Sequence, residues 1–473
     1  RMDALKRLGR RLVALLSRVG VIDRHRLGPT VELAWPRVVT GIARRSKQTA
    51  DIVMVGWVLG PPGIAGLAFA YAYWQIGNQL SLGLSGGTIS LVSQNYGGDE
   101  RARAELAIEM SVWIAVLLAL PMTAAFYLFS ADLIRLLGAA PETVAHGGTY
   151  LRIVAIGLLF EYLNKIGSRA FAGVGDTFTP MVVRGGGAIV NIVLNAVFIL
   201  GLEMGAAGAA LGTVIATGLI TFGLAWGFLG RSYPIGTAPP VRFRLHGPHW
   251  ERALGRQLLV VSAPLVLRRL ATSIVVFPFL SIAAVFGTVV VAALEVSRQV
   301  RGLMNSLNWG FSIASSTLVG QELGRGNETE AEAYGWDILR LAMLSYVVLA
   351  ALVVFLAGPI AGVFVDDPAA LDSATAFVVV GAVSAVGLGL DGATNGALRG
   401  GGDTRWPFYG RVIGLYVLAV PIATLGVVTP LGVAGLYVAL LAETFVPGAI
   451  NLYRFRTNRW KSVSRQFRPE RAD

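Results

Sequence analysis

The chain has 473 residues, of which 54% are hydrophobic and only 14% are charged, and its formal net charge is +12. Because a soluble domain carries roughly 25% charged residues, this composition argues against a soluble protein and favours one that lies in a membrane. The sequence has no cysteine and four scattered histidines, which excludes disulfides and thiolate metal sites and offers no cluster suited to a metal. We expect no cofactor.

The first 33 residues are predicted to form a cytoplasmic segment. Between residues 2 and 22, leucines recur at near-helical spacing among lysines and arginines. The stretch lacks the uninterrupted apolar region and the small-residue cleavage site of a signal peptide. An amphipathic helix lying on the inner leaflet is therefore the better interpretation.

Twelve apolar segments follow, each long enough for the roughly 20 residues that a membrane span needs. The predicted spans are 36–58, 64–93, 106–129, 148–172, 179–201, 206–229, 257–283, 288–320, 336–357, 373–398, 407–427 and 431–453. The 58 glycines suit close packing of helices in lipid, where small residues let backbones approach. The predicted fold class is an all-α polytopic membrane protein.

The charge distribution predicts the orientation of these spans. Basic residues concentrate in the N-terminal segment, in a linker at 230–256 and in a tail at 454–473, and such segments face the cytoplasm. With an even number of spans both termini are cytoplasmic, and we predict a multi-pass protein of the cell membrane. Since topology accounts for the positive charge, we expect no nucleic-acid partner.

The sequence also repeats itself at an offset of 227 residues. The segment 173–177 (Gly-Val-Gly-Asp-Thr) returns as 400–404 (Gly-Gly-Gly-Asp-Thr), and we expect Asp176 and Asp403 to cap the helices that follow. The repeat predicts two pseudo-symmetric lobes of six helices, at 34–229 and 257–453. Transporters bind substrates at the interface of such repeats, so the pattern favours transport over catalysis, and we predict that the protein is not an enzyme.

Several motifs resemble those of the multidrug and toxic compound extrusion (MATE) family. They are Trp35-Pro36, 51–56 (Asp-Ile-Val-Met-Val-Gly), 82–87 (Leu-Gly-Leu-Ser-Gly-Gly), 94–98 (Gln-Asn-Tyr-Gly-Gly), 172–177 and 191–195 (Asn-Ile-Val-Leu-Asn). The resemblance covers residues 30 to 455 and looks closest to the prokaryotic DNA-damage-inducible branch. It implies an antiporter of two six-helix lobes that exports compounds against an inward flow of H⁺ or Na⁺.

Four polar residues of the first half are predicted to share one depth in the membrane. Asp51 lies 15 residues after Pro36, and Asn195 lies 15 residues after Pro180; at 1.5 Å per residue both side chains sit roughly 22 Å up their helices. Asn191 is one turn below Asn195, and Thr213 falls at a similar level. We expect these four residues to form an ion-coupling site.

The residues of that site are compatible with either H⁺ or Na⁺ as the coupling ion. Burying a carboxyl group at membrane depth costs free energy, so such a residue is a candidate for a functional role. Burial also raises the pKa of a carboxyl group, so Asp51 could carry a proton. Amide and hydroxyl oxygens around a carboxylate would equally suit Na⁺. By the resemblance, relatives often carry Asp where this chain has Asn195, which leaves Asp51 as the main carrier and Glu161 as a second candidate.

Cations inside the predicted spans raise a question about the substrate. The expected cavity residues are Gln75, Asn78, Asn164, Arg268, Arg298, Arg301 and Asp391. If Arg44, Lys47 and the three cavity arginines pair with carboxylates, their field cancels and cationic drugs remain suitable cargo. If they line the cavity unpaired, they would attract anionic or lipid-linked substrates.

The sequence therefore predicts a secondary active efflux transporter for organic or drug-like compounds that works by alternating access of two lobes. Its partners are a small-molecule substrate and the lipid bilayer, and we expect a monomer. An exporter or flippase of anionic or lipid-linked substrates is the alternative.

Overall fold

A computed structural model of the protein describes residues 20–136, 141–233, 239–243, 250–363 and 368–466. Within these ranges the side chains at 45–53, 56, 60–62, 64–65, 277, 288, 292 and 368–370 are not described. The N-terminal helix predicted over residues 2–22 therefore lies almost wholly outside the described part. So do the side chains of Lys47 and Asp51.

The described chain divides into two compact units. The N-terminal unit comprises Pro36–Tyr96 and Glu100–Val266, and the C-terminal unit comprises 20–35, 97–99 and the residues from Leu267 onward. Two helices, one near the start of the chain and one after the central linker, contribute residues to both units.

The N-terminal unit is helical throughout its described elements. They are α1 (Arg24–Gly97), α2 (Arg101–Leu128), α3 (Ser130–Leu136), α4 (Pro141–Gly173), α5 (Phe178–Asn195), a π-helical continuation of α5 (Ala196–Gly201), α6 (Gly205–Phe228) and α7 (Arg252–Ile274). Helix α4 packs against α2 and α6, and α6 packs against α5. These helices surround one apolar core in which Tyr150, Tyr162 and Phe171 are among the largest buried side chains.

The C-terminal unit repeats this architecture. Its remaining helices are α8 (Val276–Val285), α9 (Thr288–Gly324), α10 (Glu328–Phe355), α11 (Ala357–Gly362), α12 (Pro368–Gly400), α13 (Arg405–Val412), a π-helical segment (Ile413–Ala419), α14 (Val420–Val428), α15 (Ala434–Arg456) and α16 (Arg459–Arg465). Helix α12 is central, because it packs against α9, α10 and α15. Two apolar clusters fill this unit.

The 227-residue repeat is visible in the backbone. Helices α2 and α10 begin and end at equivalent positions, as do α4 and α12. Glycines with positive φ recur at the same offset: Gly175 (96°) with Gly402 (80°), and Gly205 (55°) with Gly432 (54°). Only glycine adopts this region readily, so the repeated glycines of the sequence mark the same turns in both halves.

Nine helical stretches within the described residues are long and apolar enough to cross a membrane. The other three predicted spans, 36–58, 64–93 and 288–320, lie in α1 and α9. The helical backbone continues through residues 58–64, where the sequence suggests an interruption; α1 has 74 residues, enough for two spans of about 20 residues each. The count of twelve stays a prediction.

Large apolar side chains cover the outside of both units. Trp57 is 73% exposed, Leu117 72% and Phe355 83%. A soluble monomer rarely exposes contiguous apolar surface on this scale. Hydrocarbon chains of a bilayer are the surroundings that these side chains fit, which agrees with the composition.

The segment before Pro36 is held to the C-terminal unit by charge. Arg26 lies 2.6 Å from Asp23, 3.0 Å from Asp337 and 3.2 Å from Glu330. Ile22 and Leu27 are buried in the same place. The start of α1 is therefore part of the packed structure of this unit.

The two Gly-Asp-Thr loops differ in how they use their aspartates. Asp176 Oδ1 accepts a hydrogen bond from the backbone N–H of Thr179 at 2.9 Å, as expected of a cap. Asp403 Oδ2 instead accepts one from Arg454 Nε at 2.6 Å. Burial raises the pKa of the Asp403 carboxyl, and Arg454 opposes that rise. The capping expectation thus fails at Asp403, because an arginine of α15 reaches the carboxylate.

Candidate functional site

Three of the four residues predicted to couple ion movement meet in the N-terminal unit. Asn191 Nδ2 donates to Thr213 Oγ1 at 3.2 Å, and Asn195 Nδ2 donates to Asn191 Oδ1 at 3.4 Å. Both asparagines are completely buried, and Thr213 is nearly so. We call these residues the polar cluster. Helix α5 supplies its two carboxamides one turn apart, and α6 supplies its hydroxyl.

Close packing of α5 and α6 brings this cluster together. A Cβ atom on Gly212 would collide with Asn195 Oδ1. Glycine at this position therefore allows the carboxamide to lie against the backbone of α6, beside Thr213. The sequence shows the glycine but not which side chain occupies the space it leaves.

A cavity that is open to solvent lies beside the polar cluster within the N-terminal unit. Its walls combine aromatic, polar and charged side chains. They include Thr40, Arg44, Tyr71, Trp74, Gln75, Asn78, Tyr150, Glu161, Arg184, Thr213 and Thr217. Thr213 belongs to both the cavity and the polar cluster, so a small molecule in the cavity would lie close to the buried carboxamides.

The predicted cavity residues of this half take two different places. Gln75 and Asn78 line the cavity, and Asn78 Nδ2 donates to Gln75 Oε1 at 2.9 Å. Asn164 bonds to α6, where its Nδ2 donates to Thr217 O and its Oδ1 accepts from Thr221 Oγ1, each at 3.3 Å. Asn164 therefore joins α4 to α6.

Glu161, the second candidate for the coupling acid, also lines the cavity and forms an ion pair with Lys165. Both residues lie on α4, one turn apart, and Lys165 is buried. Lys165 was not among the residues predicted for the site, although an acid and a base four residues apart on a helix are neighbours by geometry alone. The carboxylate of Glu161 is thus balanced by a cation of its own helix.

The C-terminal unit contains a buried charge cluster around Asp391, which is 1% exposed. Asp391 Oδ2 lies 2.5 Å from Arg268 Nη2 and 2.6 Å from Arg411 Nη2, and Asp391 Oδ1 accepts from Asn451 Nδ2 at 2.8 Å. One carboxylate thus serves two guanidinium groups. Arg411 and Asn451 were not among the predicted residues.

The other predicted arginines of this unit differ in their pairing. Both oxygens of Glu443 accept from Arg301 Nη2, at 3.0 and 3.1 Å. Arg298 is half-buried and forms no ion pair with the side chains that the structure describes. Of the three cavity arginines, Arg268 and Arg301 are thus paired and Arg298 is not.

Two further cations of the unit bind groups other than carboxylates. Arg399 is buried and donates to Ser312 O at 2.8 Å and to the hydroxyls of Ser312 and Ser316 at 3.2 Å. Arg269 lies over the Trp309 ring, 5.4 Å from its centroid. Backbone carbonyls, hydroxyls and aromatic faces all stabilise a guanidinium inside a protein.

The fold and the polar cavity in an apolar bundle define a multi-pass membrane transporter. The family model MatE matches this chain twice, over residues 36–197 and 264–425. The chain belongs to this family, whose members transport small molecules across membranes and are not enzymes. The two matches coincide with the two halves of the internal repeat.

Relatives that match along most of their length carry multidrug names. A probable multidrug resistance protein NorM of Bradyrhizobium diazoefficiens is 27% identical over 448 residues, which cover 90% of this chain and 92% of that protein. The multidrug resistance protein PmpM of Pseudomonas aeruginosa is 26% identical, with 90% of each chain covered. A crystal structure of MATE in the bent conformation has a TM-score of 0.85 at 22% identity, covers 93% of this chain and 97% of that one, and shows the fold.

Proposed function

We propose that the protein is an ion-coupled antiporter that exports organic, drug-like compounds from the cell. The observation that carries the proposal is the cavity beside the polar cluster, where a substrate site and a candidate ion site share Thr213. Occupancy of one site would change the surroundings of the other, which exchange of an ion for a substrate requires. The multidrug relatives support drug-like cargo over lipid-linked cargo.

We assign the carrier role to Asp51, with Asn191, Asn195 and Thr213 as its polar surroundings. Helix α1 includes residue 51, and the equal spacing of residues 51 and 195 from Pro36 and Pro180 predicts that its carboxyl is level with the cluster. The cluster supplies neutral oxygens and amides only, and Glu161 is neutralised by Lys165. We favour H⁺ over Na⁺ as the coupling ion, because two oxygens of the cluster, Asn191 Oδ1 and Thr213 Oγ1, already accept hydrogen bonds within it.

In the substrate path we place Gln75, Asn78 and Arg298. For Arg268, Arg301 and Asp391 a role in binding stays a prediction, since their ion pairs would have to open to receive a ligand. Transport would proceed by alternating access of the two lobes, in a monomer of the cell membrane with both termini in the cytoplasm. The motifs in the first half support assignment to the DNA-damage-inducible branch.

Transport into vesicles tests this proposal. The purified protein is reconstituted in liposomes, and uptake of ethidium is followed with an imposed pH gradient, an imposed Na⁺ gradient or neither. We expect accumulation with the pH gradient and its loss when a protonophore collapses that gradient. Uptake that is the same with and without both gradients would contradict ion-coupled export.

A further inference from the structure

Arg184 on α5 occupies an unusual position in the N-terminal unit. It lines the cavity and is half-buried. It makes no hydrogen bond or ion pair with any side chain that the structure describes in this unit. A guanidinium is always charged and offers five donors in a planar fork, so this one can bind an anion that enters the cavity.

The second repeat contains an equivalent arginine that is paired with a carboxylate. Arg411 is the counterpart of Arg184 at the 227-residue offset, and Asp391 is the counterpart of Asn164. In the C-terminal unit these counterparts form an ion pair at 2.6 Å. In the N-terminal unit the acid is replaced by an amide, and that amide is bound to α6. The arginine is retained while its carboxylate is absent from the equivalent place.

Among the described side chains, positive charges predominate around the cavity. The described side chains in and next to its wall include three cations, Arg44, Lys165 and Arg184, and one carboxylate, Glu161. Lys165 forms an ion pair with that carboxylate, and it lies close enough to Arg44 and Arg184 to be repelled by both. An anion in the cavity would relieve this repulsion.

Aromatic side chains form another part of the same wall. Tyr71 and Tyr150 lie with ring centroids 5.7 Å apart, and Trp74 is on the next turn of α1. These rings offer a flat, apolar surface to a planar ligand. The cavity therefore combines a surface for an aromatic body with a cationic group for an acidic substituent.

We propose that Arg184 binds the carboxylate of an aromatic organic anion or zwitterion, which adds carboxylate-bearing ligands to the compounds that the N-terminal cavity accepts. The proposal rests on the proposed export function only for its physiological meaning, because binding needs no gradient. In the ligand complex, the guanidinium of Arg184 pairs with the carboxylate of the ligand as Arg411 pairs with Asp391. A planar fork suits the two oxygens of a carboxylate.

Binding of two matched ligands to the protein in nanodiscs of zwitterionic lipid tests the proposal. The ligands are 2-naphthoate and its neutral amide, 2-naphthamide, measured by calorimetry. We expect Arg184→Gln to weaken binding of 2-naphthoate at least tenfold and to leave binding of 2-naphthamide within twofold. Arg152→Gln is the control, since Arg152 is exposed on α4 and lies over the Tyr127 ring instead of the cavity; it should change neither affinity.

A second variant introduces into the first repeat the acid that the second repeat carries. Asn164→Asp places a carboxylate where the C-terminal unit has Asp391, so it should occupy Arg184 and lower 2-naphthoate affinity to a similar extent while Arg184 is present. Equal binding of 2-naphthoate by Arg184→Gln and the unmodified protein would overturn the proposal, as would equal loss of both ligands. If 2-naphthoate binds through Arg184 but is not moved by any gradient, the proposed export function fails and the binding site stands.

Discussion

Arg411 Nη2 lies 2.6 Å from Asp391 Oδ2, although 20 residues of chain separate the two and both are buried. Arg268 binds the same oxygen from α7. Asn451 donates to the other oxygen from α15, so four helices are joined at one carboxylate, which balances the positive charges of Arg268 and Arg411. The C-terminal unit thus contains a buried cluster of paired charges, whereas the N-terminal unit contains a cavity.

Replacing Asp391 with Asn should destabilise the protein strongly, because two buried guanidinium groups would lose the carboxylate that they share. Breaking a buried ion pair by removing one partner costs about 3 to 5 kcal/mol. Thermal unfolding in detergent, followed by tryptophan fluorescence, is the measurement. Asp132→Asn is the control: its pair with Arg135 is exposed and should contribute at most about 1 kcal/mol. Equal melting temperatures for the two variants would contradict this interpretation.

Replacing Asp51 with Asn should abolish gradient-driven uptake of ethidium and leave the melting temperature nearly unchanged, because the amide keeps the shape of the side chain and cannot release a proton. Uptake by liposomes under an imposed pH gradient is measured for the variant. Asp132→Asn again serves as the control and should transport normally. Full transport by the Asp51 variant would exclude the carrier role.

The pair of Glu161 and Lys165 can be tested by a double-mutant cycle. Glu161→Gln alone leaves a buried ammonium without its acid and should lower stability, whereas Glu161→Gln with Lys165→Met should recover most of it. Transport by the double variant then separates two roles of Glu161. Recovery of uptake together with stability would show a structural role, and a stable protein without uptake would show that Glu161 takes part in coupling.

Gly212→Ala should displace Asn195 and disturb the polar cluster, since the added methyl group would collide with its carboxamide oxygen. Overpacking of this kind costs about 1 to 3 kcal/mol, and uptake should fall with it. Gly186→Ala on α5 is the matched control, because a Cβ atom there meets nothing within 4 Å. This control should keep transport and gain up to about 1 kcal/mol of stability from helix propensity. Similar losses in both variants would argue against a special role for the α5–α6 contact.

The class of protein, a helical membrane protein, and its internal repeat can both be predicted from the amino-acid sequence. Membrane helices are recognisable because each span must be apolar over a local run of residues, and glycine turns are recognisable because only glycine takes positive φ readily. For this reason the loops at Gly175 and Gly402 could be predicted as equivalent. Asn191 and Asn195 could be placed on one face from their spacing alone.

The pairing of charged side chains on different helices depends on how the helices pack. Arg268 and Asp391 are separated by 123 residues, and Arg301 and Glu443 by 142, so no local spacing indicates that they pair. The sequence contains the arginine at positions 184 and 411 in both repeats, but whether it is paired depends on the residue that a neighbouring helix brings to it. An ion pair requires two side chains within a few ångströms of each other, and for residues on different helices that distance is fixed by packing.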